Sequence, residues 1–136
     1  MALLDIQIHV DGACRNNGRA KEIGIGVVIE DGVTENRHIS LKLVGRTNNE
    51  AEYLSLITAL ENVLRIYGDG NLKIHSDSLL VVNQIKGIYT TKNERLKVLH
   101  KRAIDMLKLF TSWEIIHVYR EFNKQADALA NYALDN

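Results

Sequence analysis

Residues 4–11 read Leu-Asp-Ile-Gln-Ile-His-Val-Asp, and the tetrad Ile-His-Val-Asp at 8–11 returns as Ile-His-Ser-Asp at 74–77. Leu4, Ile6, Ile8 and Val10 alternate with Asp5, Gln7, His9 and Asp11. Alternation at period two sends the apolar set to one face of a strand and the polar set to the other. The echo predicts two strands that each close on an aspartate.

Working outward from 4–11, the turn-rich DGACRNNGRAKE leads into IGIGVVIED, a second strand. Asp31-Gly32 reads as a hairpin turn, and VTENRHISLKLV as a third strand, giving an antiparallel meander. The period then changes. Tyr53, Ile57, Leu60, Leu64 and Tyr67 step by four, three, four and three along a helix, opened by the capping box Thr47/Glu50 and closed by Gly68. A short strand, NLKIHSD, is followed by a helix through SLLVVNQIKG. A longer helix covers KNERLKVLHKRAIDMLKLF, with Leu96, Leu99, Ala103, Met106 and Phe110 on its apolar face. The strand SWEIIHVYR precedes a last helix striped by Ala126, Leu129, Ala130 and Ala133. The order is βββαβαβα. Strands joined through helices run parallel, so the expectation is an α/β fold with a five-stranded mixed sheet flanked by helices.

The chain has 136 residues, 46% hydrophobic and 25% charged, the balance of one globular domain, expected over 1–136. No apolar run approaches the roughly 20 residues of a membrane helix, so no membrane partner is expected. The N-terminus does not read as a signal peptide, because Asp5 interrupts it and no basic segment precedes it. With a single cysteine, Cys14, there is no internal disulfide; a cytoplasmic setting is expected. Net charge is zero, from 17 basic and 17 acidic residues, yet the distribution is uneven: Lys86–Lys108 holds seven basic residues against two acidic ones, leaving the remainder at −5.

Parallel strands place their C-terminal ends on one sheet edge, where open α/β sheets put their ligands. If strands one and four are neighbours, Asp11 and Asp77 meet there. Glu52 and Asp127 fall in the expected first turns of the first and last helices. Taken singly, each aspartate after a strand is turn chemistry and each acid at a helix start is dipole chemistry. Together, four crowded carboxylates repel unless a cation sits among them, and Mg²⁺ takes oxygen ligands and phosphate alike. Two such ions can split a phosphodiester by activating water on one side and stabilising the leaving oxygen on the other.

DGACRNNG, TNNEAEY, HSDS and REFNKQADALAN, in this order, resemble the ribonuclease H family, and within it the short type 1-like enzymes without the basic protrusion. The resemblance covers nearly the whole chain. It implies the ribonuclease H fold, two Mg²⁺ or Mn²⁺ ions, and endonucleolytic hydrolysis of the RNA strand of RNA–DNA hybrids to 5′-phosphate and 3′-hydroxyl ends. The family's catalytic, metal-holding acids fall on Asp11, Glu52, Asp77 and Asp127, with Asp11 bridging both ions. Substrate-reading positions fall on Cys14, Asn17, Asn48 and Asn49, where short amides and loop backbone can hydrogen-bond the 2′-hydroxyl that separates RNA from DNA. Structural alternatives stand beside them: Asn16-Asn17-Gly18 is a turn signature, and Asn48 can belong to a helix cap.

The sequence also departs from the family. HVYREFNKQAD is shorter than the histidine-bearing loop of many bacterial members, and His117 falls within the expected fifth strand, so it is not assigned that loop's role. Arg120 stands at the end of that strand and can approach a phosphate; a solvated surface arginine is the alternative. Lys97, Lys101 and Lys108 lie along one side of the long helix and can grip DNA phosphates or form its solvated face. The competing functions are a nucleic-acid-binding module that keeps the fold without turnover, and another metal-dependent nuclease or phosphatase. A monomer is expected.

Overall fold

The computed structural model describes residues 2–15 and 22–136. Its elements follow the order β1 (Asp5–Cys14), β2 (Glu22–Glu30), β3 (Arg37–Val44), α1 (Asn48–Tyr67), β4 (Asn71–Ser76), α2 (Leu79–Ile85), α3 (Glu94–Leu107), β5 (Ser112–His117), a 3-10 turn over Arg120–Phe122, and α4 (Lys124–Asp135). The sheet order is β3-β2-β1-β4-β5. β1 pairs antiparallel with β2 and parallel with β4, and β4 pairs parallel with β5, as the helical connections require. The two echoed tetrads lie side by side in register, with Ile8 opposite Ile74 and His9 opposite His75.

Side-chain alternation sorts the two faces. Ile6, Ile8 and Val10 of β1 and Ile23, Ile25, Val27 and Ile29 of β2 join the core beneath α1. Gly24 and Gly26 of β2 face the other way, against α4. β2 is therefore covered on both faces, and its residues from Ile23 to Ile29 are all buried. The helix α1 lies between the sheet and α3. It consequently buries Leu56, Ala59 and Val63 beside the expected Tyr53, Ile57 and Leu60, while Leu64 and Tyr67 stay half-buried.

Several expected boundaries shift for local reasons. β1 does not stop at Asp11 but runs on to Cys14, so Asp11-Gly12 lies inside a strand and is not a turn. Asp31-Gly32 is not a two-residue hairpin: the Asp31 carboxylate accepts the amides of Val33 and Thr34, both at 2.7 Å, and the Tyr67 hydroxyl, also at 2.7 Å. That local capture consumes residues 31–36 and delays β3 until Arg37. In α3 the Asn93 side chain caps the amides of Arg95 and Leu96, which starts the helix at Glu94, two residues later than the expected Lys92. Leu107, not Met106, is its fully buried residue near the C-terminus.

The two helices that flank the site lie on the sheet with backbone almost touching backbone. A Cβ at Gly12 would collide with the Ala51 carbonyl group and the Glu52 amide of α1. Cβ atoms at Gly24 and Gly26 would collide with the carbonyls of Ala130 and Ala126 of α4. The obstacles are backbone, which cannot rotate away. Gly26→Ala should therefore lose roughly 2–3 kcal/mol of stability by forcing α4 off the sheet; urea denaturation with a wild-type midpoint would contradict this packing.

Candidate active site

The C-terminal ends of β1 and β4 and the N-terminal parts of α1 and α4 converge at one edge of the sheet. Asp11, Glu52 and Asp77 meet there, with one carboxylate oxygen of each within 4.8 Å of the others. Asp11 is 3% exposed. Gly12 donates its N–H to Glu52 Oε1 at 2.5 Å and to Asp11 Oδ1 at 3.0 Å, so one strand amide orients two carboxylates. Glu52 is the fifth residue of α1 and lies in its second turn, beyond the first turn expected. Asp127 is in the first turn of α4, outside the tight triad but near enough to Asp11 to disfavour its ionisation. Asn131, one turn further on, donates to the Asp127 carbonyl at 2.9 Å and to its carboxylate at 3.3 Å.

Burial, followed by the charge of Asp77, pushes the Asp11 carboxyl up to about 8. Burial, followed by the charge of Asp11, pushes Glu52 well above the usual glutamate range. Glu50, two residues earlier, goes the opposite way. Burial would raise it, but the amides of Arg46 and Thr47 and the Arg95 side chain, at 2.6 Å, hold it below its ordinary value. Glu50 is thus a satisfied capping acid, and Glu52 one kept among other acids.

The donor set fits a hard divalent cation. All the converging groups are carboxylates, and Asp77 Oδ2 is buried without a hydrogen-bond partner among the described residues. His9 and His75 stand two residues before the aspartates but stack on each other, with ring centroids 4.4 Å apart. Their Nε2 atoms meet Glu30 Oε1 at 2.7 Å and Gln7 Oε1 at 2.8 Å. They are sheet-face residues and take no part in the acidic cluster.

Cys14 and Asn48 also come together. The Cys14 amide donates to Asn48 Oδ1 at 3.1 Å, so Asn48 ties the end of β1 to the start of α1, while the cap itself belongs to Thr47 and Glu50. The Cys14 thiol donates to the Arg46 carbonyl at 3.3 Å. Asn48 and Asn49 are exposed in the first turn of α1. Asn17 lies outside the described residues. Arg120 is exposed and opens the 3-10 turn, because β5 ends at His117. Lys97 and Lys101 pair with Glu94 at 3.1 Å and Asp105 at 2.8 Å on their own helix, which favours the solvated-face reading for both. Sequence reading missed Gly12, whose only signal is a glycine inside an alternating strand followed by small residues. It also missed Gly24 and Gly26, whose period-two spacing marks a strand face covered closely by a helix.

Residues 9–133 match the family described as reverse transcriptase-like. A ribonuclease HI of Halobacterium salinarum is 39% identical over 134 residues, covering 96% of this chain and 65% of that protein. The crystal structure of RNase H1 from Halobacterium salinarum NRC-1 superposes with a TM-score of 0.89 at 36% identity, covering 96% of this chain and 98% of that one. LC11-RNase H1, solved in complex with an RNA/DNA hybrid, gives a TM-score of 0.87 at 33% identity over 96% of each chain. The chain belongs to the ribonuclease H family, and the two solved neighbours above are RNase H1 structures. It spans between 36% and 65% of the length of curated relatives from Halobacterium, Bacillus and Mycobacterium.

The raised pKa of Asp11 has a stability consequence. The folded, metal-free protein holds a proton that the unfolded chain releases, so stability is unaffected below about pH 4 and falls as pH rises from there to about 8. Asp11→Asn should therefore raise metal-free stability at pH 7.5, by an amount that vanishes near pH 4. Thermal melts in EDTA check this, and an equal or lower melting temperature at pH 7.5 would contradict it.

Proposed function

We propose that residues 1–136 form one ribonuclease H-like domain that hydrolyses the RNA strand of RNA–DNA hybrids internally, leaving 5′-phosphate and 3′-hydroxyl ends. The observation that carries this reading is the Asp11–Glu52–Asp77 cluster, gathered within 4.8 Å at the edge of a ribonuclease H sheet, with Asp127 beside it.

Asp11, Glu52, Asp77 and Asp127 would hold two Mg²⁺, with Mn²⁺ as a substitute. When bound, such ions supply an activated water for in-line attack and stabilise the departing oxygen. The protein's own contributions are distinct. Gly12 fixes the directions of Asp11 and Glu52 through its single amide. Asn131 restrains the Asp127 carboxylate. Cys14, Asn48 and Asn49, together with Asn17, read the minor groove of the hybrid, where amide groups tell a ribose from a deoxyribose. Arg120, exposed after β5, meets a backbone phosphate. No covalent enzyme intermediate is required. No helix among the described residues is long and apolar enough to cross a membrane. A cytoplasmic monomer is part of the proposal, and the lone cysteine, which allows no internal disulfide, supports its cytoplasmic part.

The test is an end-labelled hybrid incubated with Mg²⁺ or Mn²⁺ beside single-stranded RNA, duplex DNA and an Asp77→Asn variant. Metal-dependent internal cuts confined to the RNA of the hybrid are expected. In Asp77→Asn the rate should fall by more than about 100-fold, beyond what losing a residue behind the ligands costs. Tight hybrid binding with no cleavage under either metal would instead identify a binding module. Release from free ends only, or hydrolysis of phosphomonoesters, would identify a different hydrolase.

A further inference from the structure

Asn123 departs from what its position in the chain requires. It is the residue before α4, where an asparagine ordinarily turns its side-chain oxygen onto the first free amides of the helix. Here it makes no side-chain cap hydrogen bond. Its side chain is 2% exposed and reaches across 113 positions of sequence, donating from Nδ2 to the Val10 carbonyl at 2.9 Å. A carbonyl can only accept, so the amide orientation follows, and Oδ1 is left buried without a partner among the described residues. A forgone cap and a stranded acceptor both oppose stability, so helix formation alone does not account for asparagine at this position.

The backbone of the same residue joins two further groups of the site. Its carbonyl accepts the Asp127 amide at 3.1 Å, and its amide donates to the Arg120 carbonyl at 2.9 Å. Val10 immediately precedes Asp11. One buried residue therefore links the strand that carries Asp11, the helical turn that carries Asp127 and the 3-10 turn that carries Arg120. The contacts of Ala126 and Ala130 with Gly26 and Gly24 fix how closely α4 lies on the sheet. They do not by themselves stop the helix from sliding along its axis. The Ser40 hydroxyl holds the middle of α4 by donating to the Leu129 carbonyl at 2.6 Å, and the Asn123–Val10 hydrogen bond supplies the axial constraint at the end of α4 nearest the acids.

We propose that Asn123 is a positioning residue: by anchoring the start of α4 to the Val10 carbonyl, it sets Asp127 relative to Asp11, and so completes the fourth corner of the cation site. This rests on the proposed function for its catalytic consequence, but not for its effect on cation binding.

The experiment compares wild type, Asn123→Ala, Asn123→Ser and Ala133→Gly. Serine keeps a helix-starting residue but cannot reach Val10, so it decides the matter if the alanine variant does not fold. Ala133→Gly loosens the far end of α4 and serves as the control for helix docking. Mn²⁺ affinity is measured on the free protein by electron paramagnetic resonance, and kcat and KM on a hybrid. Both Asn123 variants should bind Mn²⁺ roughly 10- to 100-fold more weakly and lose a similar factor in kcat, with KM for the hybrid within about twofold of wild type. The Ala133→Gly control should stay within about twofold in every quantity. Wild-type Mn²⁺ affinity in a folded Asn123 variant would overturn the inference, as would equal losses in Ala133→Gly. If wild type does not cleave hybrids, the functional proposal fails, while the Mn²⁺ comparison still decides the role of Asn123.

Discussion

The contact of α1 with β1 at Gly12 is the constraint on which the site depends. Hydrogen in place of a side chain lets the Ala51–Glu52 backbone settle directly on the strand. The Gly12 amide is then 2.5 Å from Glu52 Oε1, although the two residues are 40 positions apart in the sequence. Gly24 and Gly26 repeat the device on the opposite face and let α4 bring Asp127 to the same edge. Two helices at side-chain distance from the sheet would leave the four acids scattered. Glycine at three strand positions brings Glu52 to Asp11 and Asp77 and sets Asp127 beside them.

That arrangement carries an electrostatic cost which the rest of the molecule must offset. Buried carboxylates without counter-charges destabilise a fold, and Asp11 and Glu52 answer by holding protons more tightly than free acids do. The apolar layer beneath α1, built from Ile6, Ile8, Val10, Ile25, Ile57 and Leu60, supplies the compensating burial. Glu50 shows that the same helix can bury an acid comfortably when donors surround it. The difference between Glu50 and Glu52 lies in their partners: two backbone amides and an arginine for the first, one amide and other acids for the second. An acid left short of donors is suited to accept a cation.

Most of the fold was legible because its signals are periodic. The alternation of β1, the heptad-like stripe of α1 and the βββαβαβα order lead to a mixed sheet with β1, β4 and β5 parallel and the meander to one side, while the adjacency of β1 and β4 is supplied by the structure. The meeting of Asp11 and Asp77 followed from the parallel pairing of β1 with β4. What could not be read depends on contacts distant in sequence. Asp11-Gly12 has the composition of a turn, and only the presence of α1 above it explains a straight strand there. Asn123 has the composition of a cap, and only the nearby Val10 carbonyl explains where its amide goes. Asn48 likewise resembled a cap, whereas its oxygen holds the Cys14 amide. Arg120 was placed at the end of a strand that stops three residues earlier, since β5 ends at His117.

The central claim is that these buried acids form a cation site whose protons are displaced by metal. Calorimetric titration of Mg²⁺ into the metal-free protein at pH 7, repeated in buffers of different ionisation enthalpy, measures this directly. With Asp11 pushed up to about 8 and Glu52 raised beside it in the free protein, binding should release about one proton or more, and the release should diminish as the pH is raised past 8. Mg²⁺ binding with no proton release at pH 7, or no binding at millimolar metal, would contradict the account.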